Sequence, residues 1–247
     1  MKAKIAAAAQ SALHRFGYHL RRLDEAVSLD DAYEEQARLA GSDVREIVEI
    51  GAADGRDVVA YAKRYPSARV HAYEPLPENF RKLERATASL SNVVVHECAV
   101  SRTEETMPFY VTALADASSL LKSRATGATY DKYVEPAGRI DVQVVTLDDE
   151  CSRNNIERID ILKMDAQGNE LNILNGAHKL LDSRSIKLIY TEVNFARIYE
   201  NIGLYHEIAA FLDTKGYDLH NLYNLIRNQR GELAWGDAIF VRRAASC

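Results

Sequence analysis

The sequence predicts an α/β fold, a mostly parallel sheet covered by helices and closed by an antiparallel pair of strands. Three observations carry this. Short apolar runs alternate with amphipathic stretches of helical spacing from Val44 onward. Prolines and glycines sit at the junctions, as Gly51, Gly55, Pro66, Pro75, Pro77 and Gly216 do. The last two apolar runs, Tyr217 to Tyr223 and Ala238 to Val241, are separated only by a polar loop through Asn228 to Gly231, and so pair antiparallel.

The chain has 247 residues, 47% hydrophobic and 27% charged, enough for one large domain with a sizeable core. A net charge of −5 argues against a basic nucleic-acid footprint. No stretch approaches the roughly 20 apolar residues that span a bilayer. Cys98, Cys151 and Cys247 are too few and too scattered for a disulfide framework or a zinc site, so a reducing cytoplasm is the simplest compartment.

Taken in order, Met1 to Leu23 contains no acidic residue and places Ile5, Ala9, Leu13, Phe16, Leu20 and Leu23 at helical spacing. It reads as an amphipathic helix laid across the main domain, docked on an anionic membrane surface or partner, or serving as a targeting segment. Asp24 to Gly41 reads as a second helix, making residues 1–41 an N-terminal extension or lid and 42–247 the main domain. Val44 to Ile50 is the first strand, Arg56 to Tyr65 a helix stopped by Pro66, and Arg69 to Tyr73 the second strand. Glu78 to Ala88 is a helix with Pro77 at its first position and Phe80 and Leu83 inward. Val93 to His96 is the third strand; Ile159 to Met164 and Lys187 to Val193 are two more, separated by one helix carrying Leu171, Leu174, Ala177 and Leu181. Between them lie the short runs Met107 to Val111 and Ile140 to Val145, joined by a segment from Ala113 to Gly138 long enough to suggest function. Leu204 to Lys215 is the last helix.

Ligands of open parallel sheets bind beyond the carboxyl ends of the strands. Those ends read Glu49-Ile50-Gly51, Tyr73-Glu74-Pro75, Cys98-Ala99-Val100, Met164-Asp165 and Glu192-Val193-Asn194, with acids at four of the five. The loop Gly51-Ala52-Ala53-Asp54-Gly55 lets backbone approach a ligand, and Glu74 stands where a carboxylate accepts ribose hydroxyls. A nicotinamide dinucleotide explains both features, but its glycine fingerprint is broken by Ala53 and Arg56. Glu49 and Asp165 instead suit the ammonium of S-adenosylmethionine. An NAD(P) oxidoreductase and a non-catalytic cofactor-binding module stand as alternatives.

Three ordered blocks are distinctive: Val48-Glu49-Ile50-Gly51-Ala52-Ala53-Asp54-Gly55, Tyr73-Glu74-Pro75-Leu76-Pro77-Glu78-Asn79-Phe80, and Lys163-Met164-Asp165-Ala166-Gln167-Gly168-Asn169-Glu170, with Val145-Thr146-Leu147-Asp148-Asp149 before the last. Together they resemble the FkbM family of S-adenosylmethionine-dependent methyltransferases, from about Val44 to Arg242. The resemblance implies a class I methyltransferase (Rossmann-like) fold with a seven-stranded sheet and an antiparallel final strand. It also implies O-methylation of a sugar or other small-molecule hydroxyl. Gln167 stands where the family often has Glu, and Ala53-Asp54 also departs from the usual pattern.

By that resemblance Glu49, Gly51 and Asp54 line the methionine end of the cofactor and Glu74 the ribose, with Ala52, Gly55 and Pro75 also cofactor-binding. Leu76, Cys98 and Ala99 flank the adenine. Ser119, in the block Ser118-Ser119-Leu120, lies near cofactor or acceptor. Lys163, alternating with Met164, is structural. An alcohol needs a base or a metal to become a nucleophile. Asp165, Glu192 and Asn194 form a candidate Mg²⁺ set, and Asp165, Glu192 or His206 a candidate base. Tyr130, Tyr133, Tyr199, Tyr205 and Trp235 are candidates for stacking on a sugar or lipid-linked acceptor. A glycan or small-molecule hydroxyl acceptor, no nucleic acid, and a homo-oligomer complete the expectations.

Overall fold

A computed structural model describes residues 31–127 and 129–244. The amphipathic segment Met1 to Leu23 and the start of the next lie outside the described residues. Helix α1 (Ala32–Ala40) precedes β1 (Glu46–Ile50), α2 (Arg56–Arg64), β2 (Arg69–Tyr73), α3 (Pro77–Thr87) and β3 (Val93–His96). Then come β4 (Ala99–Ser101), β5 (Glu105–Thr112), β6 (Pro136–Thr146), α4 (Leu147–Arg153) and β7 (Ile159–Met164). The chain ends with α5 (Glu170–Asn175), α6 (His178–Asp182), β8 (Ile186–Asn194), α7 (Tyr205–Thr214), β9 (Tyr217–Arg227) and β10 (Leu233–Arg242). A compact unit begins at Tyr33 and includes most of α1.

Seven strands form one sheet in the order β3-β2-β1-β7-β8-β10-β9. Neighbours from β3 to β8 are parallel, and β10 runs antiparallel to both β8 and β9. The seven strands and the antiparallel last strand agree with the expected fold. All six residues of β7 are buried, so the central strands are covered on both faces, which is why they read as unbroken apolar runs. One face packs Val48, Ile50, Leu162, Met164 and Val193 into a core shared with Ile173, Leu181, Ile208 and Leu212 from α5, α6 and α7. Residues alternate across a strand, so Glu49 and Lys163 point to the opposite face. The chain runs outward from β1 to β3 and returns to β7 beside β1. That reversal opens a crevice at the carboxyl ends of β1 and β7.

The structure corrects three expectations. Cys98-Ala99-Val100 does not end the third strand: β3 stops at His96, and Ala99–Ser101 pairs parallel with β6 in a second sheet, ordered β4-β6-β5. The runs at Met107 and Ile140 extend into the long antiparallel pair β5–β6 of that sheet. The single helix expected through Leu171 and Leu181 breaks at Gly176, where a Cβ would stand 2.1 Å from the Ser101 carbonyl oxygen. Close approach of β4 thus demands glycine there. The block Thr146-Leu147-Asp148-Asp149 is scaffolding: Thr146 caps α4 through Asp149 N–H, and the Asp148 carboxylate accepts from the N–H groups of Lys179 and Leu180 at the start of α6.

Candidate active site

The crevice holds two cavities that share a wall. The first is lined by Glu49, the loop from Gly51 to Asp54, Glu74, Pro75, Cys98, Ala99 and Asp165. Backbone bonds fix this rim: Gly51 and Ala52 N–H donate to the Tyr73 carbonyl, and Asp165 N–H to that of Ile50. Gly51 has φ +79°, and a Cβ on it would lie 1.9 Å from the Asp165 carbonyl oxygen. Only glycine lets the loop after β1 sit against the end of β7. Glu74 ties the second strand to this loop, accepting from Ala53 N–H (2.9 Å) and Leu76 N–H (2.8 Å).

The expected residues divide by what they touch. Glu49, Gly51, Ala52, Asp54, Glu74, Pro75, Cys98, Ala99 and Asp165 line the first cavity. Gly55 begins α2 beneath it, against Leu83 of α3. Leu76 is buried with Ala99, Phe109 and Leu120 under the small sheet. Ser119 is buried too; its hydroxyl donates to the Gln167 carbonyl (2.9 Å) and anchors the long insertion to the loop after β7. Glu192 and Asn194 line the second cavity together with Asp165, while His206 is exposed on the first turn of α7 and lines neither cavity.

Leu114, Asp116, Tyr133, Val134, Ile198, Tyr199 and Trp235 complete the second cavity. Tyr205 packs on Phe195 instead, and the Tyr130 side chain lies outside the described residues. Asp116, Asp165 and Gln167 line both cavities. Asp165 therefore stands at the junction, and its orientation is held: the Gln167 amide donates to Asp165 Oδ1 (2.8 Å), and the Tyr199 hydroxyl lies 2.9 Å from Gln167 Oε1. Glutamine suits this position because it donates to one neighbour and accepts from the other, which a carboxylate does not. Glu170 closes the same loop, accepting from Ala166 N–H (2.8 Å) and Gly168 N–H (3.2 Å).

Sequence reasoning missed Asp116, Asn79 and Asp57 in the first cavity. Asp116 sits in a short turn of the insertion and accepts from the Asn79 amide (3.2 Å), with no motif of its own to mark it. Asp57 shares the ammonium of Lys163 with Glu49, at 2.8 Å each.

A family model described as "Methyltransferase FkbM domain" matches residues 49–219. The chain is a member of the FkbM methyltransferase family. The match runs through both cavities and supersedes the nicotinamide alternative. Among curated relatives of this FkbM protein, methyltransferase sdnD of Sordaria araneosa is 28% identical over 70% of this chain and 73% of its own length. The 2-O-methyltransferase NoeI of Sinorhizobium fredii is 27% identical over 62% of this chain and 65% of its own. A solved precorrin-6y C5,15-methyltransferase from Geobacter metallireducens aligns over 90% of this chain and 93% of its own, at 11% identity and TM-score 0.46. Among the described residues no helix is long and apolar enough to cross a membrane.

Electrostatically the FkbM site is an acid pool. Burial pushes the carboxyls of Glu49 and Glu74 up to about 7, against the pull of Lys163 on the first and of backbone N–H donors on the second. Burial likewise raises Glu170 to about 7. Burial, then the charges of Asp165, Glu170 and Asp237, holds Glu192 well above the carboxylate range. Asp237 is also raised, by burial. An acid that binds its proton more tightly folded than unfolded stabilises the fold fully below the unfolded value and loses that contribution as pH rises through the folded one. His71 and His96, shifted down by burial, act in the opposite sense, while Glu46, raised by burial, adds to the acids. The ligand-free protein is expected to melt at a lower temperature at pH 8 than at pH 5.5, with the slope reduced in a Glu49→Gln/Glu74→Gln variant. A melting temperature that rises across this window contradicts the assignment.

Proposed function

We propose that this FkbM protein transfers a methyl group from S-adenosylmethionine to a hydroxyl oxygen of a small-molecule or glycan acceptor. The observation that carries this reading is the pair of cavities meeting at Asp165. The first fits the methyl donor. Glu49 offers a buried carboxylate whose Oε2 has no partner among the described residues, matching an ammonium. Each Glu74 oxygen accepts one amide bond and has capacity for a ribose hydroxyl. Ala99 and Cys98 provide an apolar wall for the base, and Asp54 borders the methionine end. When bound, S-adenosylmethionine supplies an electrophilic methyl carried on a sulfonium.

The second cavity fits the acceptor. Tyr133 and Trp235 give aromatic surface, while Asp165, Glu192 and Asn194 can orient hydroxyls. In a direct displacement the acceptor oxygen gains the methyl carbon, the sulfonium becomes a thioether, and the hydroxyl proton must leave. Glu192 is the base of choice, since a carboxyl raised by burial and neighbouring acids binds a proton strongly. Asp165 beside it aligns the hydroxyl. His206, outside both cavities, is not assigned the proton. The name of the relative NoeI, a 2-O-methyltransferase, supports oxygen as the site of methylation.

The donor set does not fit a resident Mg²⁺. Asp165 Oδ1 already accepts from Gln167, and the described residues contain no cluster of three or more acidic, imidazole or thiol ligands. The proton path proposed is therefore carried by carboxylates alone. A mass-shift screen of hydroxylated sugars with S-adenosylmethionine, run with and without excess chelator, tests both points. Methylated product at equal rates in the two arms is expected. Failure to methylate any of the panel counts against the acceptor class, and activity lost to chelator and restored by Mg²⁺ overturns the metal-free path.

A further inference from the structure

We propose that Asp57, backed by the Tyr33 hydroxyl, is a positioning residue that shares the Lys163 ammonium with Glu49 and so leaves the trio a surplus negative charge toward the amino group of the methyl donor. The proposal rests on the reading of the first cavity as the donor site. It adds a specificity device that reaches outside the matched segment 49–219, because Tyr33 lies on α1.

Glu49, Lys163 and Tyr190 are in register on β1, β7 and β8, so their side chains share one sheet face. The Lys163 side chain is 8% exposed, and its ammonium lies 2.8 Å from both Glu49 Oε1 and Asp57 Oδ2. With all three ionised, two carboxylates face one ammonium and the group carries a surplus negative charge. A Lys163–Glu49 pair alone would be neutral and would offer a cationic ligand no net attraction. Asp57 takes part of the lysine's hydrogen-bonding capacity, and Glu49 Oε2 is left without a donor among the described residues. A buried carboxylate oxygen without a donor is costly, so a fold that keeps one points to a cation supplied from elsewhere.

Tyr33 keeps Asp57 in this role. Its hydroxyl donates to the Asp57 carboxylate, and its ring is held against Tyr61 of α2 and Tyr190 of β8. Asp57 lies in the first turn of α2, where the helix dipole also favours an anion. The chemistry recognised is a primary ammonium attached to a nucleoside. Adenosine alone, held through Glu74 and the loop after β1, is indifferent to it.

The test compares two nucleosides on the full chain by calorimetry. S-adenosylhomocysteine carries the ammonium; methylthioadenosine has the same nucleoside and sulfur without it. Asp57→Asn is expected to weaken S-adenosylhomocysteine by about tenfold while leaving methylthioadenosine unchanged. Tyr33→Phe, which keeps the ring packing, is expected to produce a smaller loss of the same selectivity, and Asp57→Glu to restore part of it. Unchanged S-adenosylhomocysteine affinity in Asp57→Asn and Tyr33→Phe, or equal weakening of both nucleosides, overturns the proposal. Equal wild-type affinity for the two nucleosides overturns it while leaving the donor site standing. A wild-type protein that binds neither nucleoside overturns the donor-site reading and this proposal with it.

Discussion

Glu192→Gln is expected to lower kcat by about two to four orders of magnitude, the usual contribution of a positioned base. Affinity for S-adenosylmethionine should change little, because Glu192 lines the acceptor cavity and not the donor cavity. The pH dependence gives a second readout. A base whose carboxyl is held up by burial and by Asp165, Glu170 and Asp237 must lose its proton before it can accept one from the acceptor. Wild-type turnover should therefore climb with pH, and Glu192→Gln should remove that limb. Asp165→Asn should behave differently, lowering both turnover and donor affinity, since Asp165 borders both cavities. Near-normal turnover in Glu192→Gln would assign the proton elsewhere.

Gly51→Ala tests the scaffold beneath this chemistry. Its φ of +79° strains an alanine, and its Cβ would meet the Asp165 carbonyl oxygen at 1.9 Å, a backbone atom at the end of β7. Strain and overpacking together should cost roughly 2–5 kcal/mol of stability. The shift also displaces Asp165, so donor binding should be lost. Gly55→Ala is the informative control. It has a similar φ, +83°, but its Cβ would first meet Leu83 Cδ1 at 2.8 Å, the end of a side chain that can turn away. Denaturant unfolding should rank Gly51→Ala well below Gly55→Ala. The reverse order would mean that the β1–β7 contact does not govern the site.

The legible parts of this protein are those where local chemistry and tertiary role coincide. β2 and β7 begin and end where their apolar runs do, because central strands buried on both faces leave no ambiguity of period. The acidic strand ends were legible for the same reason: in a parallel sheet every carboxyl end lies on one rim, so sequence order alone gathers Glu49, Glu74 and Asp165. The small sheet was not legible. Ala99–Ser101 is a three-residue strand whose partner, β6, lies some 40 residues on, and its pairing is decided by tertiary contact alone. The break at Gly176 was hidden too, since helical spacing runs straight through it and only the approach of Ser101 forbids continuation. Asp116 and Asp57 belong to the site by position alone; the first stands in an irregular loop, the second among the ordinary charges of a helical first turn.

A crystal structure of the full chain with S-adenosylhomocysteine and a hydroxylated acceptor measures the central claim most directly. The account predicts adenosine beside Glu74, the amino group at Glu49, and the thioether sulfur at the wall shared by the two cavities, with the acceptor hydroxyl near Asp165 and Glu192. A nucleoside bound away from Glu74, or a sulfur separated from the cavity that holds Glu192, would contradict it.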